Sequence, residues 1–348
     1  MSIRERSLAS VRPRPLLCSQ GNPLIVVELT EARGALMCTS SPLDVPPDAP
    51  LELRAEAAAV LVASQLAERL YAVIDSFLPR DSHTRLAAWA RELRRAGGMR
   101  PGEVEGGRLA RVRGDLVAWV DPFGDGDEHG SPPEPLQAHA TQLDEMMMLV
   151  MTDPKLAADL AHRPIMRDRA MVTCYPGAKD GTAGEGDGDG AGSVVTSLEE
   201  ATGAVYARHS DAAHGKNMER VLTCILYLND DWDHARDGGC LRVWPKTDVN
   251  ARCHVEALER WRRSLEEVDE GGRGAGRDVD AVRESLEPAV DIAPVGNRLV
   301  VFWSDTRCPH AVRPVNPRLG CGEGRYAVSF WYYDQELLAA GERSNAVR

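Results

Sequence analysis

A histidine and a carboxylate stand two residues apart in the extended run Tyr206-Ala-Arg-His209-Ser-Asp211, and a second histidine, His310, follows far downstream in Trp303-Ser-Asp-Thr-Arg-Cys-Pro-His310. Residues i and i+2 of a strand point to one face, so His209 and Asp211 can aim at a common point. Two imidazoles and a carboxylate on one side of a metal, with the remaining positions open, form the facial triad suited to Fe(II) and dioxygen chemistry. Arg325 follows in the strand-like stretch Arg325-Tyr-Ala-Val-Ser-Phe-Trp-Tyr-Tyr333. Its guanidinium could hold the far carboxylate of a bidentate co-substrate in fork geometry. An H-x-D pair alone is a weak signal, and either histidine alone is more often an ordinary polar residue. The ordered series of H-x-D, H and R, each on a β-type segment, is a strong signal.

The elements that must position these groups can be read along the chain. Residues 1–50 look like a poorly ordered leader, with Arg12-Pro-Arg-Pro15 and four prolines between Pro42 and Pro50. The Ala, Leu and Glu content from Leu51 to Leu70 predicts a helix, followed by a strand at Tyr71-Ala-Val-Ile-Asp-Ser-Phe-Leu78. A second helix is expected from Ser82, a plausible N-cap, with Leu86, Trp89 and Leu93 on one face and Gly97-Gly98 at its end. Arg111 to Val120 alternates like a strand, and a helix is expected from Pro135 to Met151, its methionine cluster Met146 to Met151 serving as core filler. Beyond Met171 the pattern is strand-rich, with runs at Met171–Tyr175, Val221–Leu228, Cys240–Trp244, Arg298–Trp303 and Tyr326–Tyr332. Helices first and short strands afterwards argue for an α+β chain with a sandwich or jelly-roll core.

Two inserts interrupt that core. Residues 177–204, rich in Gly, Asp and Glu, read as a mobile loop. Asp187-Gly-Asp-Gly190 is not a calcium loop, because Ala191 occupies the third ligand position and no bidentate Glu follows. In 251–288 the residues Val255, Leu258, Trp261, Leu265 and Val268 recur at helical spacing, so an amphipathic helix is expected, docked on the domain or, as the lesser alternative, serving as a partner surface. The domain itself is expected over 51–340, with a tail at 341–348.

Composition excludes some functions. The 41 Lys and Arg against 53 Asp and Glu give a net charge of −12, which disfavours nucleic acid as the main partner. No apolar run approaches the roughly 18 residues of a membrane span, and the first residues lack the apolar core of a signal peptide. The eight cysteines contain no C-x-x-C pair and read as reduced thiols of a cytoplasmic or nuclear protein.

The residues around the triad resemble the hypoxia-inducible-factor prolyl hydroxylase family, 2-oxoglutarate- and Fe(II)-dependent dioxygenases of oxygen sensing. The similarity runs from about Val73 to Asp334, inserts excepted. It rests on Met171-Val-x-Cys-Tyr-Pro-Gly177, Tyr206-x-Arg-His-x-Asp211, Thr223-Cys-Ile-x-Tyr-Leu-Asn-x-Asp-Trp-Asp233, Gly238-Gly-x-Leu-Arg242, Phe302-Trp-Ser-Asp-x-Arg-x-Pro-His310 and Arg325-Tyr-Ala-x-x-x-Trp-Tyr332. The resemblance implies a double-stranded β-helix, or jelly-roll, core with supporting N-terminal helices. It makes His209, Asp211 and His310 the ligands of Fe(2+), and pairs Arg325, helped by the Tyr227 hydroxyl, with the distal carboxylate of 2-oxoglutarate. Tyr175 would line the same pocket and Leu241 would pack on the co-substrate. Arg113-Gly-Asp115 resembles the start of a loop that closes over substrate, its Asp pairing with an Arg that matches Arg220, and Trp331 would border the substrate proline. An apolar surround of Leu241, Val243 and Trp331 would keep bulk water from the reacting centre.

The chain departs from the family in a longer loop between His310 and Arg325, an expanded loop before Tyr206, and Ser329 where the family tends to have threonine near the iron. The implied activity is hydroxylation of a proline, at C4, in a protein or peptide substrate. It would consume dioxygen, keep its iron reduced with L-ascorbate, and act as a monomer. Rivals are a hydroxylase of another residue or of a small molecule, and a catalytically silent peptide-binding module. A structural zinc site is disfavoured, since two imidazoles and one carboxylate with open positions are not a closed site.

Overall fold

The computed structural model describes chiefly residues 49–103, 113–125, 131–160, 163–177, 203–213, 217–256, 286–316 and 323–346, with short strands nearer the N-terminus. In chain order the strands are β1 (Leu16–Leu17), β2 (Pro23–Leu24), β3 (Leu36–Met37), β4 (Ser41–Pro42), β5 (Tyr71–Asp75), β6 (Arg100–Pro101), β7 (Leu116–Val120) and β8 (Ile165–Arg167). There follow β9 (Ala170–Pro176), β10 (Tyr206–His209), β11 (Arg220–Tyr227), β12 (Leu241–Val243), β13 (Val290–Ile292), β14 (Leu299–Trp303), β15 (His310–Val312) and β16 (Gly324–Asp334). Three long helices, α1 (Leu51–Arg69), α2 (Arg80–Arg95) and α3 (Glu134–Met151), precede most of them.

The apolar runs in β11 and β16, rich in branched and aromatic residues that suit a buried pleat, form the centre of a nine-stranded sheet. Its order is β4-β5-β14-β11-β16-β9-β7-β6, with β8 on the end of β16. Register sets which side chains share a face: Thr223 lies opposite Trp331, Ile225 opposite Ser329 and Tyr227 opposite Ala327, while Tyr175 lies opposite Arg325. That face looks toward a five-stranded sheet of order β10-β15-β12-β13-β3. The other face carries the alternate residues into the helices. There Phe330 meets His139 of α3 edge-on at 5.5 Å, Tyr332 donates to Asp144 of α3, and Arg94 of α2 donates to the Tyr326 hydroxyl. Two opposed, mostly antiparallel sheets with helices behind the larger one make the expected jelly roll.

Several elements differ from their sequence reading. Helix α2 begins at Arg80, not Ser82: Pro79 precedes it with φ −53°, and proline's fixed φ suits a helix entrance. Its inner face is His83, Leu86, Ala87, Ala90 and Leu93, with Trp89 only partly buried. In α3 Met146 and Met147 fill the core, but Met148 is exposed.

The expected leader is not loose to its end. Strand β3 pairs in parallel with β13, β4 pairs in parallel with β5, and Leu43 and Ala49 are buried. The edge strands β13 and β5 present unpaired backbone groups that this segment satisfies. Residues 248–256 are helical, starting before the expected insert helix, and Val255 is exposed. Leu258, Trp261, Leu265 and Val268 lie outside the described residues, as does nearly all of the loop expected at 177–204. The final helix, Gln335–Ala346, runs across the boundary expected at 340.

Candidate metal centre and co-substrate pocket

Strand β10 stops at His209, so Asp211 does not sit in the strand that its spacing suggested. It occupies the bend that follows, where the Ala212 N–H donates to the Ser304 carbonyl at 2.9 Å. The convergence survives. One ligand atom each from His209, Asp211 and His310 lies within 4.8 Å of the others. His209 Nε2 is 3.7 Å from Asp211 Oδ1, and His310 Nε2 is 3.7 Å from Asp211 Oδ2. Antiparallel pairing of β10 with β15 sets His209 opposite His310.

Hydrogen bonds fix both rings for metal binding. A carbonyl can only accept, so His209 Nδ1–H donates to the Ala207 carbonyl at 2.8 Å and His310 Nδ1–H to that of Cys308 at 3.3 Å. Each leaves the Nε2 lone pair free toward the common point. Burial, with His310 alongside, lowers the His209 pKa to about 4. Burial alone would raise the Asp211 carboxyl, but His310, His209, Thr223 and Trp331 outweigh it and hold it below the ordinary range. At neutral pH His209 is therefore a neutral imidazole and Asp211 a carboxylate, the protonation states that a divalent cation needs.

Behind the carboxylate stand groups that sequence reasoning missed or placed differently. The Thr223 hydroxyl donates to Asp211 Oδ2 at 2.7 Å and shares a 2.8 Å hydrogen bond with the Ser304 hydroxyl. Trp331 Nε1–H donates to the same Oδ2 at 3.0 Å. Thr223 carries one available signal, its position four residues before Tyr227 on the same strand face. Ser304 stands in the motif Phe302-Trp-Ser-Asp-x-Arg-x-Pro-His310, which by itself assigns it no role. Trp331, expected at the substrate, also reaches the ligand carboxylate, and its ring packs on Trp119 with centroids 5.7 Å apart.

Arg325 lies on the inner face of β16, 2% exposed. Its Nη2–H donates to the Tyr227 hydroxyl at 3.2 Å, and its guanidinium rests 4.8 Å from the Tyr227 ring centroid and 5.0 Å from that of Tyr175. Burial raises both phenols, so each hydroxyl stays neutral. Arg325 Nε is buried with no hydrogen-bond partner among the described residues. A buried cation with an idle N–H is costly unless an acid completes it, and a dicarboxylate co-substrate fits that need. Leu241 and Val243 of β12 are buried in the facing sheet.

Asp115 and Arg220 are not brought together. Asp115, 1% exposed, accepts from Arg113 Nε and Nη2 at 2.7 and 3.1 Å. Arg220 lies over Trp331 at 4.6 Å and Tyr333 at 5.8 Å. The nearer guanidinium, two residues away on the same strand approach, has taken the carboxylate.

Known proteins are similar to this chain in sequence and fold. Residues 195–333 match the model of the 2OG-Fe(II) oxygenase superfamily. Egl nine homolog 1 of Rattus norvegicus is 27% identical over 270 residues, covering 77% of this chain and 56% of that protein. Prolyl hydroxylase EGLN3 of Homo sapiens is 25% identical over 277 residues, covering 78% of this chain and 82% of that protein. The solved structure of a prolyl hydroxylase in complex with a hypoxia inducible factor oxygen degradation domain peptide fragment from Trichoplax adhaerens matches with a TM-score of 0.53 at 23% identity. It covers 81% of this chain and 92% of that one, and supports the fold. The chain spans about half the length of the Egl nine homolog 1 relative, at 56%.

Proposed function

We propose, from the premise that this chain belongs to the 2OG-Fe(II) oxygenase superfamily, that it hydroxylates a proline, at C4, in a protein or peptide substrate, in oxygen sensing. The observation that carries the metal chemistry is the convergence of His209, Asp211 and His310 with both Nε2 atoms free. Similarity to prolyl hydroxylases supports the choice of proline.

Bound together, Fe(II) and 2-oxoglutarate would activate dioxygen, one atom of which enters a substrate C–H bond while the other goes into succinate as 2-oxoglutarate loses carbon dioxide. The chain's own residues prepare for this. His209, Asp211 and His310 would hold the metal on one side and leave the other side open. Arg325, with the Tyr227 hydroxyl beside it and Tyr175 against its guanidinium, would anchor the distal carboxylate. Thr223 and Trp331 orient Asp211, and the buried Leu241 and Val243 would keep water out. Trp331 and Trp119 would border the substrate ring. L-Ascorbate would serve as the reductant that keeps the iron ferrous. The described cysteines Cys174, Cys224, Cys240, Cys253 and Cys308 are free thiols, which suits the cytoplasm or nucleus, and no described helix is long and apolar enough to cross a membrane.

The test is peptide-stimulated succinate formation with Fe(II), 2-oxoglutarate, ascorbate and a pool of proline-containing peptides, followed by mass spectrometry. One oxygen gained on proline is the expected result. Succinate release with oxygen found on another residue or a small molecule would move the chain to a different substrate class. Peptide binding without any turnover would make it a silent module.

A further inference from the structure

Strand β10 contains one residue more than its partner between two paired positions: Tyr206 faces Val312, whereas His209 faces His310. In a regular strand, residues three apart point to opposite faces. The bulge cancels that alternation and turns Tyr206 onto the His209 side. Phenol and imidazole lie stacked, with centroids 3.8 Å apart and planes 23° from parallel. The Arg113 guanidinium sits 4.9 Å from the centroid of the same phenol.

Arg113 is itself held firmly. Its fork is closed by the buried Asp115, and its backbone bridges to that of Tyr206. The Gly114 N–H donates to the Val205 carbonyl at 2.8 Å, and the Gly102 N–H donates to the Asp115 carbonyl at 2.8 Å. A Cβ at position 102 would collide with Arg113 Nε and Asp115 Oδ1, so the ion pair packs directly on backbone. His209 needs such support more than the other ligands. Its side chain is 21% exposed, against 9% for Asp211 and 5% for His310, and His310 already has Phe302 against it at 4.6 Å.

We propose that Asp115, Arg113 and Tyr206 form a positioning column for His209: the carboxylate locks the guanidinium, the guanidinium holds the phenol, and the phenol sets the plane of the metal-ligating imidazole. The column rests on the metal reading above. It gives Asp115 a task in the resting chain, before any peptide binds. Stacking and cation–π contacts are strongest where water is excluded, and the Arg113 side chain is only 13% exposed.

The experiment is Mn(II) titration of the metal-free full chain, followed by electron paramagnetic resonance, with no peptide present. Tyr206→Leu and Arg113→Ala should each weaken Mn(II) by about tenfold, the scale of losing a group that orients a ligand, and should broaden the bound-Mn(II) spectrum. Tyr206→Phe, which keeps the ring, should stay within about twofold of the parent on the same scale. The double variant Arg113→Ala/Tyr206→Leu should bind no more weakly than Tyr206→Leu alone, because the two residues act in series. If Arg113→Ala does not fold, Arg113→Gln keeps the reach without the charge and should reproduce its loss. Unchanged affinity in Tyr206→Leu, or losses that multiply in the double variant, would overturn the column while leaving the metal reading intact. A parent chain that binds no Mn(II) would sink both.

Discussion

Trp331 donates its indole N–H to Asp211 Oδ2 at 3.0 Å, tying the long central strand of the larger sheet to the bend that carries the carboxylate of the candidate metal site. Thr223, directly opposite Trp331 in the sheet register, donates to the same oxygen at 2.7 Å. Two donors on Oδ2 leave Oδ1 the less encumbered oxygen, so the carboxylate is oriented before a cation arrives.

Trp331→Phe keeps an aromatic ring against Trp119 but removes the donor. Divalent-metal affinity should fall by about tenfold, within the range found for groups that orient metal ligands. Thr223→Val should act in the same direction. Calorimetric titration with Mn(II) checks both, and unchanged affinity in the pair would mean that the bend alone holds Asp211.

Asp211→Ala should abolish succinate formation even with excess Fe(II). It deletes the one carboxylate of the donor set and strands the buried Thr223 and Trp331 donors, at a cost of about 1–3 kcal/mol for an unsatisfied group. Asp211→Asn keeps an acceptor for Thr223 and should recover stability in thermal melts without recovering turnover. Turnover in either variant would remove Asp211 from the ligand set.

Arg325→Lys preserves the charge but loses the planar fork and its contact with Tyr227. 2-Oxoglutarate should bind more weakly by roughly 1–3 kcal/mol, while Mn(II) affinity in its absence should hold. Tyr227→Phe should cost less, roughly 0.5–1.5 kcal/mol for one neutral hydrogen bond. Titration of 2-oxoglutarate into the metal-loaded chain separates these outcomes.

The convergence of His209, Asp211 and His310 was legible because their types and order carry the chemistry, and the six-residue spacing put Arg325 and Trp331 on one strand face, whereas Tyr227 was implied by the family resemblance. What stayed hidden depends on tertiary choices. The bulge that aligns Tyr206 with His209 exists only in the pairing with β15, and no spacing rule announces it. Thr223 and Ser304 are small hydroxyls that stand inside motifs of the family resemblance, yet nothing in those motifs gives them a role. The resemblance implied Arg220 as the partner of Asp115, whereas Asp115 pairs with Arg113, and Gly102 packs on both members of that pair. The pairing of residues 36–42 with both sheets was masked by a proline-rich composition, which says nothing of an open edge waiting to be covered.

His139 offers a test of stability remote from the metal. Its ring is buried in α3 between Phe77, at 5.9 Å, and Phe330, at 5.5 Å, and neither ring nitrogen has a hydrogen-bond partner among the described residues. Burial, with Arg167 and His83 nearby, pushes its pKa down from 6.5 to about 3. The folded state therefore keeps the ring neutral where the unfolded chain already takes up a proton. This contribution to stability is intact above pH 6.5 and is lost progressively as pH falls toward 3, by up to about 1.4 kcal/mol per unit. His139→Leu removes the titrating group and the two idle nitrogens while filling a similar volume. It should be more stable than the parent at every pH below 6.5, by about 2 kcal/mol at pH 5 from this linkage alone. Urea unfolding at a series of pH values reads the difference directly. A stability gap between the two chains that does not widen on acidification would show that His139 titrates normally in the folded protein.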